Sequence, residues 1–166
     1  MQSGSVSRIF EALIRNDVKF IVVGGIAAGL QGSAAMTTDV DIVHLRTPEN
    51  IKRLLLALQE LDARYRSKPE LRPSASHLSS PGHQLLSTSC GPLDILGAIE
   101  GDRDYYVLLP ESEEFTVRGR AIRVLKIDLL LALKEQSSHP KDRNAAMFLR
   151  KALENRHLSE RKPESK

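Results

Sequence analysis

This 166-residue sequence is poor in cysteine and aromatic residues, and it lacks any long apolar run. Its single cysteine, Cys90, excludes an intrachain disulfide and a cysteine-based zinc cluster. Tryptophan is absent and aromatic residues make up only 4%, which argues against extended stacking surfaces for single-stranded nucleic acid. No run approaches the roughly 20 apolar residues of a membrane span, and the N-terminus has no apolar signal region. We therefore expect a soluble, cytoplasmic protein that makes no membrane contact.

The composition is that of an ordinary globular chain. Apolar residues make up 41% of the sequence, which is enough to form a hydrophobic core, and the length is typical of one domain. The net charge of +3 permits an anionic substrate without requiring nucleic acid. We predict a main body over residues 1–125, C-terminal helices over 126–157 that pack on it within the same domain, and a charged, flexible tail over 158–166.

Hydrophobic patterns predict a mixture of helices and strands. Apolar residues recur with helical spacing in residues 6–14, 51–61 and 145–153, whereas residues 84–96 and 113–124 read as two β-hairpins. Thr47 before Pro48 and Glu49 is typical of a helix start. The predicted fold class is α+β, with a mixed sheet of about five strands, helices packed mainly on one face, and further helices at the C-terminus.

The chain is organised around residues 18–44. An apolar strand ends in Gly24 and Gly25, and a second strand carries Asp39 and Asp41. Side chains at i and i+2 of a strand share a face, so the two carboxylates would project together and repel each other unless a cation binds between them. Hard oxygen ligands suit Mg²⁺, and glycines let backbone N–H groups approach a phosphate closely. The alternative is an ordinary tight turn followed by a solvated strand face.

Two later segments carry further candidate groups. Asp94 lies between Leu93 and Ile95, an unusual place for an acid in a strand. Residues 67–81 contain three prolines and several serines, which predicts a loop. The basic side chains in and beside this segment either grip an anionic substrate or are simply solvated; they are Arg66, Lys68, Arg72, His77 and His83.

The sequence apolar-Gly-Gly, about a dozen residues, then Asp-apolar-Asp-apolar resembles the signature of the DNA polymerase beta-like nucleotidyltransferase superfamily. It looks most like the minimal bacterial-type members, including those related to toxin–antitoxin and abortive-infection systems. The resemblance implies that Gly24 and Gly25 hold the triphosphate and that Asp39 and Asp41 hold two Mg²⁺ ions, which Mn²⁺ can replace. Asp94 then matches the third carboxylate, which binds metal and serves as, or lies near, the general base.

The resemblance extends to the C-terminal helices. Related small enzymes often carry a lysine at the end of an apolar helix, followed after a short gap by a basic-Lys-Asp segment, and this chain has Lys134 and then residues 139–143. Lys134 is accordingly a candidate contact for the triphosphate or substrate. The alternative for Lys134 is a surface lysine at a helix end, and the alternative for Lys141 and Asp142 is a helix cap.

The predicted function is transfer of a nucleoside monophosphate from an NTP to an acceptor hydroxyl, with release of pyrophosphate. An RNA end, a protein side chain and a small molecule all remain open as acceptors. One alternative is a non-catalytic partner with the same fold, an antitoxin-like regulator of a second protein in a two-component bacterial system. A further alternative is a nucleotide-binding module without turnover.

Overall fold

The structure, a computed structural model, describes residues 2–161. The seven strands are β1 (Phe20–Val23), β2 (Val40–His44), β3 (Arg64–Tyr65), β4 (His83–Thr88), β5 (Gly91–Leu96), β6 (Ser112–Val117) and β7 (Arg120–Leu125). The α-helices are α1 (Gln2–Arg15), α2 (Gly24–Leu30), α3 (Pro48–Glu60), α4 (Ala75–Ser79), α5 (Tyr105–Leu108), α6 (Ile127–Glu135) and α7 (Pro140–Glu160), and a short 3-10 helix spans Leu109–Glu111. The predicted α+β class is confirmed.

All seven strands belong to one mixed sheet, with the order β3-β4-β5-β2-β1-β7-β6. β2 runs antiparallel to β1 and parallel to β5, and β1 runs parallel to β7. The predicted count of about five strands was too low. Both predicted hairpins form, but β6–β7 joins the same sheet because β7 pairs with β1, and the two-residue β3 extends the opposite edge.

One face of this sheet is covered by helices. The register places Phe20 opposite His44 and Val22 opposite Ile42, so alternate side chains of β1 and β2 share this face. Phe10 of α1 stacks on Phe20 with ring centroids 6.3 Å apart. The imidazole Nε2 of buried His44 lies 2.7 Å from a carbonyl oxygen of α4, and α3 contacts both α1 and α4. The prediction of helices mainly on one face is confirmed.

Local sequence signals account for α3 but not for α4. The Thr47 hydroxyl accepts a hydrogen bond from the Asn50 N–H and Pro48 occupies the first turn, as predicted for a helix start. By contrast, residues 67–81 were predicted as a loop, and they include α4, which is capped by Ser74. With five residues and only Leu78 buried, α4 is too short to show a helical period in the sequence.

The C-terminal helices form as predicted, and α6 packs against α7. Helix α7 continues to Glu160, which is three residues into the segment predicted as a flexible tail, while residues 162–166 lie outside the described part of the chain. No helix within residues 2–161 combines the length and apolar character needed to cross a bilayer.

Candidate active site

The glycine turn joins β1 directly to α2. Gly24 has a φ of +67°, a left-handed conformation that glycine adopts without the cost that a Cβ imposes. A Cβ on Gly24 would also overlap the Asp41 carboxylate, and one on Gly25 would lie 2.5 Å from the Thr37 methyl carbon. Both glycines are therefore required for space, because they let the segment before β2 and the acidic strand itself close against the turn.

Asp41 and Asp94 lie side by side on neighbouring strands. Asp41 is in β2, where it pairs with Val23 of β1 on one side and with Asp94 of β5 on the other. In a parallel pair, residues in register point to the same face, so both carboxyl groups project from the face opposite Phe20 and Ile42. The fold therefore brings these two predicted site residues together.

The environment of Asp41 strongly disfavours its charged form. Partial burial, the neighbouring charge of Asp94 and a hydrogen bond shared with Asp94 raise the pKa of Asp41 from 3.8 to about 7. The charge of Asp39 contributes in the same direction, whereas Lys134 opposes it. Near neutral pH, Asp41 therefore holds a proton for a substantial fraction of the time, and a cation that displaced the proton would relieve the repulsion.

Asp39 lies at the rim of this acidic pair. It precedes β2 and is exposed, and its backbone N–H donates to the Thr37 hydroxyl at 3.2 Å. Its charge reaches Asp41, but its carboxylate is not packed beside the other two. Over residues 2–161, no three or more His, Cys, Asp or Glu side chains are arranged so that they could hold a metal ion as they stand.

Asp94 has a basic partner that the sequence did not identify as such. The Arg66 Nη2 donates to Asp94 Oδ1 at 2.8 Å and to the Leu86 carbonyl oxygen at 3.0 Å. The Asp94 side chain is only 18% exposed, so this pair is more sheltered than a typical surface ion pair. No local pattern indicated the contact, because Arg66 and Asp94 are 28 residues apart and meet only through the pairing of β3, β4 and β5.

Lys134 faces the acidic pair from the last turn of α6. Its Nζ donates to Asp142 Oδ1 at 2.8 Å, and the Ser137 hydroxyl donates to Asp142 Oδ2 at 2.6 Å. These two hydrogen bonds, that of Lys134 first, hold the pKa of Asp142 below its usual value. The helix cap that is one alternative for Lys141 and Asp142 does not form at Asp142: His139 caps α7 by accepting a hydrogen bond from the Lys141 N–H, and Asp142 accepts one from Lys134.

A cleft of about 150 Å³ brings most of these groups together. It lies between the sheet and the two C-terminal helices, and it has an apolar wall beside a charged end. Its lining consists of Val23, Gly24, Asp41, Leu96, Ile99, Glu100, Leu125, Leu130, Leu133, Lys134 and Asp142. Of the six predicted site residues, Gly24, Asp41 and Lys134 line this cleft, and Asp94 adjoins Asp41. Gly25 lines a separate cleft beside Thr37, and Asp39 is exposed just before β2, so the structure does not bring these two into the cleft.

No protein-family model and no curated protein matches this sequence. Solved structures do match its fold. The lincosamide antibiotic adenylyltransferase LnuA, solved with lincomycin, aligns over 89% of this chain and 95% of its own, with a TM-score of 0.62 and 14% identity. The antibiotic-resistance factor ANT(2'')-Ia, in complex with adenylyl-2''-tobramycin, aligns over 93% and 90%, with a TM-score of 0.58 and 13% identity.

A protein of Thermotoga maritima that is assigned as a nucleotidyltransferase also shares this fold. The alignment covers 90% of each chain, with a TM-score of 0.55 and 19% identity. Such identities establish similarity of fold and carry no residue roles with them. The chain therefore has the nucleotidyltransferase fold.

Proposed function

We propose that this chain is a metal-dependent nucleotidyltransferase, which moves a nucleoside monophosphate from an NTP to an acceptor hydroxyl and releases pyrophosphate. The observation that carries the proposal is the juxtaposition of Asp41 and Asp94 on adjacent strands, directly beside the Gly24 turn. Neighbouring carboxyl groups repel each other when both are charged, and a divalent cation would relieve that repulsion. The Cβ-free turn brings the backbone of Gly24 directly against the Asp41 carboxylate.

The residues present suit a divalent cation. Asp41 and Asp94 offer hard oxygen donors, and within residues 2–161 Asp41 has no basic side chain within ion-pair distance. Mg²⁺ commonly takes one or two protein carboxylates and completes its shell with water and substrate phosphates, so a complete protein cage is not needed. Asp41 and Asp94 would hold the first of the two ions that the proposal includes, and the exposed Asp39 carboxylate would have to turn toward them to complete the site. When bound, such ions neutralise the triphosphate and stabilise the charge that develops during transfer.

The protein groups have separate parts in this scheme. The backbone N–H groups of Gly24 and Gly25 would bind the β- and γ-phosphates, and the Lys134 ammonium would offset their charge. Asp94 would orient the acceptor hydroxyl and receive its proton. The acceptor oxygen then forms a bond to the α-phosphorus while the bond from the α-phosphorus to the bridging oxygen breaks, and pyrophosphate leaves with that electron pair. Positioning and charge stabilisation supply most of the catalysis in such reactions.

We further propose ATP as the donor and a small hydroxylated molecule as the acceptor. One protein that shares this fold is named as a lincosamide antibiotic adenylyltransferase, and another is an antibiotic-resistance factor whose structure contains adenylyl-2''-tobramycin. The scarcity of aromatic residues in this chain also disfavours a long single-stranded nucleic acid. RNA ends and protein hydroxyls are therefore second in the order of testing.

The first test is a thermal-shift titration with each NTP, with and without Mg²⁺, followed by pyrophosphate release against a panel of acceptors. A nucleotide at 100 times its Kd should stabilise the folded state by about 2.7 kcal/mol, which corresponds to a rise of roughly 5–10 °C in Tm for a chain of this size. We expect Asp41→Asn to abolish the part of the thermal shift that depends on Mg²⁺. We expect Lys134→Met to weaken nucleotide binding about tenfold, because the substitution removes one charged contact with a phosphate.

Lys151→Met is the matched control, because Lys151 is exposed on α7 away from the cleft and its loss should leave both readouts unchanged. No shift with any nucleotide would contradict the proposal and favour the non-catalytic partner of a second protein. A shift without pyrophosphate release for any acceptor would favour a nucleotide-binding module.

A further inference from the structure

Arg66 lies between the sheet edge and the acidic pair. It follows β3, and a single guanidinium nitrogen, Nη2, donates to Asp94 Oδ1 at 2.8 Å and to the Leu86 carbonyl of β4 at 3.0 Å. On the neighbouring strand β2, Asp41 pairs in register with Asp94, so the two carboxyl groups project from the same face of the sheet. Asp94 is thus held between a permanent cation of the chain and a second carboxyl group.

The contact is built more firmly than an ordinary surface ion pair. Exposed pairs contribute little because both side chains lose freedom and solvent screens their charges. Here the Leu86 carbonyl anchors the guanidinium, and Leu86 pairs in register with Leu93, the residue next to Asp94. The Asp94 side chain is mostly buried, whereas Arg66 is 41% exposed. The arginine is therefore placed by backbone pairing and not by a chance side-chain conformation.

The charge of Arg66 has a direct consequence for any cation that Asp94 binds. A divalent ion and a guanidinium on one carboxylate both draw on its negative charge, and they repel each other at short range. The guanidinium of an arginine side chain carries a permanent positive charge. A cation must therefore either displace Arg66 from Asp94 or bind close to a positive charge.

We propose that Arg66 is a positioning residue that holds the Asp94 carboxylate and competes with the divalent cation for it, and so sets the metal affinity of the acidic pair. The proposal rests on the proposed function only in taking Asp41 and Asp94 as the cation site. It places the control of metal loading on the β3–β4 edge of the sheet, outside the glycine turn and the C-terminal helices.

The test is Mn²⁺ binding to the full chain at fixed pH, measured by electron paramagnetic resonance in the absence of nucleotide. Arg66→Gln removes the charge, and we expect it to bind Mn²⁺ about three- to tenfold more tightly than the wild type. Arg66→Lys keeps the charge and should stay near the wild-type Kd. Arg72→Gln is the matched control, because Arg72 lies in the same segment and pairs with Asp62 at 2.7 Å, away from the acidic pair.

Unchanged or weaker Mn²⁺ binding by Arg66→Gln would overturn the proposal, as would equal tightening in Arg72→Gln or the absence of Mn²⁺ binding in every variant. The failure of the proposed function is seen separately, in the wild-type protein. If the wild type binds Mn²⁺ but transfers nucleotide to no acceptor, the proposed enzymatic function is wrong, and the proposed competition by Arg66 is unaffected. If the wild type transfers nucleotide but Arg66→Gln leaves the Kd for Mn²⁺ unchanged, only the proposed competition by Arg66 is wrong.

Discussion

At the scale of single residues, the most informative group is Asp41. Four causes raise its pKa to about 7; the largest is burial, and the other three come from Asp94 and Asp39, the other acids of the predicted set. Burial alone would be a structural accident, but carboxyl groups that raise one another's pKa are typical of sites that bind a cation or move a proton. The same residue also restricts Gly24, because its carboxylate occupies the space that a Cβ would need.

The pKa of Asp41 predicts how stability depends on pH. Below about pH 4 the group is protonated in the folded and unfolded chain alike. Between about pH 4 and 7 the folded protein keeps the proton that the unfolded chain has lost, so the contribution to stability falls as pH rises through this window. In metal-free buffer, the free energy of unfolding of the wild type should fall relative to Asp41→Asn by on the order of 2 kcal/mol between pH 4 and 8, after allowance for partial exposure.

Urea unfolding of both proteins at intervals of pH measures this difference. Asp142→Asn is the control. The pKa of Asp142 is lowered, so its contribution to stability is lost only below about pH 4, and the curves of the wild type and Asp142→Asn should run parallel from about pH 4 to 8. Wild type and Asp41→Asn with parallel stability curves from pH 4 to 8 would show that Asp41 titrates normally.

At the scale of elements, the site depends on a strand, a turn and a short helix that follow one another without a spacer. β1 is buried along its length and ends at Val23, and α2 begins at the next residue. The abrupt change of direction requires the left-handed conformation of Gly24, and it brings α2 against both β1 and β2. The conformation of the turn and the position of the acidic strand therefore depend on each other.

Two glycines of α2 should respond oppositely to substitution. Gly24→Ala forces a Cβ onto a residue with positive φ and into the Asp41 carboxylate, and we expect it to lower the free energy of unfolding by about 1–3 kcal/mol. Gly29→Ala meets nothing within 4 Å in the same helix, so it should raise stability by about 0.5–1 kcal/mol. Urea unfolding compares the two, and similar effects of both substitutions would mean that the turn tolerates a side chain.

At the scale of the whole molecule, Gln31 links the end of α2 to three distant elements. Its side-chain Nε2 donates to Glu113 of β6 at 2.8 Å and to the Leu125 carbonyl of β7 at 3.0 Å, and its Oε1 accepts from Arg156 of α7 at 2.7 Å. Only 3% of Gln31 is exposed. The C-terminal helix and the β6–β7 hairpin are thereby fixed relative to the glycine turn.

Gln31→Ala should lower the free energy of unfolding by about 2 kcal/mol, because it leaves the buried Leu125 carbonyl and the Arg156 guanidinium without this partner. It should also speed hydrogen exchange in the second half of α7, because the buried residues of this helix, Ala146 and Leu149, both lie in its first half. Gln59→Ala, at an exposed position of α3, is the control, and its expected change in the free energy of unfolding is within about 0.5 kcal/mol. Equal effects of the two substitutions would show that Gln31 does not join these elements.

Much of this protein could be predicted from local sequence patterns, since strands, helices and turns depend on neighbouring residues. The apolar strand that ends in two glycines, both hairpins and the Thr47 cap follow from alternation, period and turn chemistry. Only the fold decided which strands pair. That pairing places Asp94 beside Asp41 and Arg66 on Asp94, and helix packing places Lys134 in the cleft that Asp41 lines. These contacts join residues far apart in the chain, and no local pattern encodes them because their geometry exists only after the sheet has closed.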